Sequence, residues 1–149
     1  MSSTAESAEA QRGRAQRLGI SAGTVVAQFG EDNDVDETLV DEVVRACGTP
    51  LVGLDTLDTV DVVDVVLLWW RDGDGDLVDA LVDARPQLSE SGVIWLLTPK
   101  AGRDGHVEPA DILEAVPTAG LTQTSTISVA PDWAGARLAA PRGQRSARR

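Results

Sequence analysis

The sequence predicts an α/β fold: a three-layer sandwich built on a mostly parallel sheet, with an antiparallel hairpin at the C-terminal end. Three observations carry this. "DVVDVVLLWW" (61–70) and "SGVIWLLTP" (91–99) are nearly unbroken apolar, β-branched runs, as strands covered on both faces require. Segments of helical period stand between and after them, and strand–helix alternation implies right-handed crossovers with helices on both sides of the sheet. The last stretch, "GLTQTSTISVAPDWAGARLAAP" (120–141), alternates polar and apolar residues around a tight connection, the pattern of a hairpin at a sheet edge.

Taken in order, "SAGTVVAQFG" has a turn followed by a β-branched run and predicts a first strand over Thr24–Phe29. "DVDETLVDEVVRACG" sets Val35, Leu39, Val43 and Ala46 on one helical stripe, with acids in the first turn, Arg45 near the end and Gly48 behind it. Cys47 then reads as a small buried residue closing that helix. "TPLVGLDTL" predicts a short strand at Leu51–Leu54, weakened by Gly53. After the central strand, "DLVDALVDARPQL" places Leu77, Leu81, Ala84 and Leu88 on one stripe and Asp76, Asp79 and Asp83 on the other, with Pro86 distorting the last turn. "SGVIWLLTP" gives the next strand and "EPADILEAV" a short helix with Pro109 at its start. The hairpin follows, with strands at Leu121–Val129 and near Ala136–Ala140.

Bulk properties bound the domain organisation. At 149 residues the chain suits one unit that folds without metals or disulfides, and its single cysteine rules out an internal disulfide framework and suits a reducing cytoplasm. Residues 1–17 read as a disordered N-terminal tail, residues 18–141 as a single α/β domain and residues 142–149 as a basic disordered tail. The N-terminus lacks the apolar core of a signal peptide, and the longest apolar run, "VVLLWW", is far short of a membrane span of roughly 20 residues. A soluble cytoplasmic protein is expected, with no membrane partner. Of the net charge of −11, residues 1–17 carry +1 and residues 142–149 carry +4, which leaves −16 on residues 18–141. Such a core repels phosphate backbones, so no nucleic acid is expected on the folded part, whereas "RGQRSARR" can touch a polyanion or the acidic core itself.

With "LGISAGTVVAQFGEDNDVDE", "VVLLWWRDGDGDLVDALVDARPQLSESGVIWLLTPKAGRDGHVEPADI" and "AGLTQTSTISVAPDWAGARLAAPR" in view, the chain resembles the domain of unknown function 3052 family from Leu18 to Arg142. The resemblance implies a small bacterial protein of the actinobacterial branch and brings no assigned activity. A wider similarity at fold level is to the C-terminal half of class I methyltransferases, implying a Rossmann-like, truncated methyltransferase-like sheet. Between strand one and "VVDVVLLWW" there is room for only one helix and one short strand, so part of the expected cofactor cradle is missing.

A cofactor bearing phosphates or a methionine carboxylate needs glycines after strand one, so that bare backbone N–H groups approach it. Here that loop is "FGEDNDVDE", one glycine followed by five carboxylates, which disfavours a nucleotide and an S-adenosylmethionine site alike. Asp72, Asp74, Asp76 and Asp83 fall at positions one, three, five and twelve of a calcium loop, but Leu77 stands where that loop needs glycine. Aspartates before a helix are more simply its cap and dipole partners. No cofactor or metal is therefore assigned, and no nucleophile elbow or metal-spaced Cys/His cluster is present.

Ligands of open parallel sheets bind beyond the carboxyl ends of the strands. The loops "FGEDNDVDE", "WRDGDGD", "TPKAGRDGH" and "APDWAG" should converge there, bringing Trp70, Arg71, Lys100, His106, Asp132 and Trp133 to one candidate binding surface. Lys100 is the only lysine and His106 the only histidine. Two functions stay open: a non-catalytic acidic domain acting through contacts with a protein partner, and a reduced methyltransferase-like enzyme or small-ligand sensor using the same edge. Oligomeric state and partner identity are not written in the sequence.

Overall fold

A computed structural model describes residues 14–53 and 62–140. Five strands form one sheet in the order β1-β2-β3-β5-β4. They are β1 (Val26–Phe29), β2 (Val63–Trp69), β3 (Leu88–Pro99), β4 (Thr122–Ser128) and β5 (Trp133–Ala139). Strands β1, β2 and β3 pair in parallel, and β5 runs antiparallel to both β3 and β4. Three helices connect them: α1 (Glu37–Cys47), α2 (Leu77–Asp83) and α3 (Pro109–Thr118). The mostly parallel three-layer sheet with its C-terminal hairpin is therefore present, and β5 inserts between β3 and β4.

Alternation along the buried strands builds two cores. Val65, Leu67, Trp69, Trp95 and Leu97 face α1, while Val66, Leu68, Ile94 and Leu96 face Leu81 of α2 and Val116 of α3. Trp69 and Trp70 are consecutive and join opposite cores. Buried indoles need a partner for their N–H. Trp69 Nε1 donates to Gln28 Oε1 at 2.8 Å, and Trp95 Nε1 donates to the Leu18 carbonyl at 2.9 Å.

Four boundaries differ from expectation by more than two residues. Order starts before Leu18: residues 14–17 are helical, Ala15 is buried, and Arg14 Nε meets the buried Glu42 carboxylate at 3.0 Å. Residues 1–13 and 141–149, including the basic C-terminal segment, lie outside the described residues. The Leu51–Leu54 strand is reduced to one parallel bridge, Val52 to Ala27, and Leu54 lies outside the described residues. Leu88 opens β3 instead of closing α2, because α2 stops at Asp83 before Pro86, which lacks the N–H a continuing helix needs. Finally, β5 begins at Trp133 and not near Ala136. No helix among the described residues is long and apolar enough to cross a membrane.

Candidate functional site

The Val52 bridge defines where a site belongs. Val52 lies on the outer side of β1, and β2 lies on the other, so the chain leaves β1 in one direction and returns in the other. The crevice beyond Phe29 and Trp69 is thus a topological switch point, the ligand position of open α/β sheets. In this protein Arg71 occupies it. Its Nη2 and Nε donate to Oδ1 and Oδ2 of Asp34 at 2.6 and 2.9 Å, its Nη1 donates to the Gly30 carbonyl at 2.9 Å, and Nη1 also reaches Asp74 Oδ2 at 3.2 Å. The guanidinium carbon sits 5.3 Å from the Trp133 ring centroid, within cation–π range.

Local sequence explains the geometry. Gly30 adopts φ 77°, and a Cβ there would stand 2.2 Å from the Trp69 carbonyl oxygen, so β1 ends pressed against the end of β2. Asp74 Oδ2 accepts from the Arg71 backbone N–H at 3.0 Å and holds the turn that aims the guanidinium. The fork to Asp34 keeps that carboxyl below the ordinary carboxylate range, and the same hydrogen bond raises the Arg71 guanidinium further.

The four rim loops do converge. Asp72 N–H donates to the Gly105 carbonyl at 2.8 Å, joining the β2 and β3 loops. Lys100 N–H donates to the Asp132 carbonyl at 2.9 Å, Lys100 Nζ donates to Ser128 Oγ at 2.5 Å, and Arg103 pairs with Asp132. His106 Nδ1 lies 2.9 Å from the Pro99 carbonyl; a carbonyl only accepts, so Nδ1 carries the proton.

The six candidate residues fall in four places. Arg71 is in the crevice. Lys100, His106 and Asp132 lie further along the rim, on the loop after β3 and the β4–β5 turn, and Trp70 is half-buried in the α2 and α3 core. Trp133 is only 4% exposed and meets Trp69 edge to face at 4.8 Å, so it is a core residue beneath Arg71 instead of an exposed wall. Asp34, one of the five carboxylates after strand one, and Asp74, one of the aspartates at calcium-loop spacing, are the partners that define the crevice. Of the aspartates at calcium-loop spacing, Asp74 is taken by Arg71 and Asp76 caps α2 by accepting from Asp79 N–H at 3.2 Å. Among the described residues no cluster of three or more carboxylates, histidines or cysteines is placed to hold a metal.

An adenosyl cofactor, which a methyltransferase-like sheet implies, does not fit these residues. Gly30 is the loop's sole glycine, its α-carbon is packed on a backbone carbonyl, and the space beyond is filled by a side chain with carboxylates around it.

The fold is shared with solved methyltransferases. The pyocyanin biosynthetic protein PhzM superposes with a TM-score of 0.64 at 14% identity, over 88% of this chain and 54% of that one. The mitomycin 7-O-methyltransferase MmcR gives 0.61 at 10% identity with the same coverages, so the chain spans about half the length of either. A precorrin-6y C5,15-methyltransferase from Geobacter metallireducens gives 0.57 at 11% identity, over 89% of this chain and 87% of that one. Identities this low show a Rossmann-like fold and nothing of activity. In sequence, the uncharacterized proteins Rv2239c of Mycobacterium tuberculosis and Mb2263c of Mycobacterium bovis are each 47% identical over 142 residues, covering 95% of this chain and 87% of theirs. The model of the family described as "Protein of unknown function (DUF3052)" matches residues 15–142, and the chain belongs to that family.

Proposed function

We propose that this protein is a non-catalytic, acidic α/β domain that acts through protein contacts, in a regulatory or adaptor role. One observation carries the reading: the switch-point crevice, where this architecture receives a ligand, receives the protein's own Arg71, neutralised by Asp34 and Asp74. A closed crevice leaves the outer faces of its loops for function. Glu31, Asp32 and Asp72 are exposed there, and an anionic rim steers and selects a basic partner surface. The same charge disfavours nucleic acid on the core.

The test neutralises the rim without touching the crevice. A Glu31→Gln, Asp32→Asn, Asp72→Asn triple variant should melt with the wild type but retain less of whatever protein the wild-type chain captures from a native lysate, and raising salt should mimic the loss. Equal recovery by both proteins would contradict the proposal. A second reading, a reduced methyltransferase-like enzyme or small-ligand sensor, is supported by the shared fold. Binding of S-adenosylmethionine or its demethylated product separates the two, because such an enzyme must bind at least one of them.

A further inference from the structure

Away from the crevice, the other half of the rim encloses an open cavity of about 260 Å³ between α3 and the hairpin. We infer that it binds a small carboxylic acid with an apolar body, an assignment that goes beyond the protein-contact reading.

The cavity exists because of side-chain size. Ala134 and Ala136 of β5 face α3, too small to meet Ile112 and Leu113 across the gap, and Leu113 is left 62% exposed at its edge. Pro99 and Pro109 complete the apolar wall. Pockets for drug-sized ligands span roughly 300–1,000 Å³, so this one suits a smaller molecule.

Its polar groups specify the chemistry. Thr98, Ala134 and Ser128 are register partners across three strands and therefore share the cavity face. Lys100 lines the cavity, and its ammonium, bonded to Ser128 Oγ, stands at that end. In a chain with 24 carboxylates, the only lysine meets a neutral hydroxyl and forms no ion pair with a described residue, which leaves its charge for an anion. At the other end, Gln123 Nε2 donates to Thr126 Oγ1 at 2.9 Å, a pair already made, so the cation of Lys100 is the polar group that sets the ligand's charge. His106, fixed on the Pro99 carbonyl, forms part of the wall between them.

The probes are benzoate and 4-methylpentanoate, each with its neutral amide, titrated into the full chain and followed by backbone amide NMR. At least one acid should shift resonances of Lys100, Leu113 and Gln123 saturably below about 10 mM. Its amide should bind at least about fivefold more weakly, and Lys100→Gln should reduce the acid to the level of the amide. Filling the space with Ala134→Leu should abolish binding, with near-ultraviolet circular dichroism confirming the fold. No saturable shift by either acid, equal affinity for acid and amide, or unchanged acid binding in Lys100→Gln would each overturn the inference.

Discussion

Arg71 grips Asp34 through two parallel hydrogen bonds, Nη2 to Oδ1 at 2.6 Å and Nε to Oδ2 at 2.9 Å, across the mouth between β1 and β2. The residues are 37 positions apart in sequence, and their pairing ties the two loops that a ligand would have to part. The strength of this latch is measurable. Bidentate geometry favours it, and the half-exposed carboxylate weakens it. A double-mutant cycle on Arg71→Ala and Asp34→Ala, read by urea unfolding, should give a coupling of about 1 kcal/mol. A value indistinguishable from zero would mean that the latch does not hold the crevice shut.

The pair also sets a pH dependence. Asp34 is held below its ordinary carboxylate value by the Arg71 hydrogen bonds, so the folded state keeps it ionised where the unfolded chain has begun to bind a proton. Its contribution is therefore present above about pH 4 and fades as pH falls through the lower folded value. Because the Asp34 side chain is 49% exposed, the effect should stay under about 1 kcal/mol. Asp34→Asn should flatten the stability profile below pH 4, in acid titrations monitored by tryptophan fluorescence, and should leave its shape above pH 5 unchanged.

Gly30 supports the crevice from below. With φ 77° and a virtual Cβ 2.2 Å from the Trp69 carbonyl oxygen, a side chain there meets backbone that cannot step aside. Gly30→Ala should cost about 2–4 kcal/mol, against about 1 kcal/mol for Gly73→Ala, where φ is 97° and nothing lies within 4 Å. Thermal melts of the two variants side by side check the contrast, and equal losses would show that contact with β2 is not what constrains Gly30.

Trp133 belongs to the core that carries Arg71. Trp133→Ala should destabilise by about 3–5 kcal/mol and remove the near-ultraviolet band of the Trp69 pair. A melting temperature within about 2 °C of wild type would contradict its burial.

How much of this was legible in the sequence follows the range of the forces involved. β2 and β3 announced themselves because both faces are covered, so every residue from Val65 to Trp69 had to be apolar. Asp36 and Asp76 were legible as caps because capping acts over three residues. Leu88 falls on the α2 stripe in sequence because helical spacing continues past Pro86, and only the missing N–H of the proline ends the helix before it. Arg14 and Ala15 resemble a tail in sequence because what orders them, Glu42 and the α1 face, lies about thirty residues on. The convergence of the rim loops followed from alternation alone. Which residues meet there did not: nothing in "RDGDGD" says that Arg71 turns back to Asp34, or that Trp133 goes under it. The cavity beneath α3 was equally hidden, since it arises from the small size of Ala134 and Ala136 opposite a helix whose position the sequence does not give.

The closed crevice is tested most directly by calorimetric titration of S-adenosylmethionine and S-adenosylhomocysteine into the wild-type protein at neutral pH. The arrangement of Arg71, Asp34 and Gly30 predicts no saturable heat from either up to about 1 mM, a binding free energy weaker than about −4 kcal/mol. One-to-one binding of either compound below that concentration, with amide shifts at Gly30 and Arg71, would contradict it.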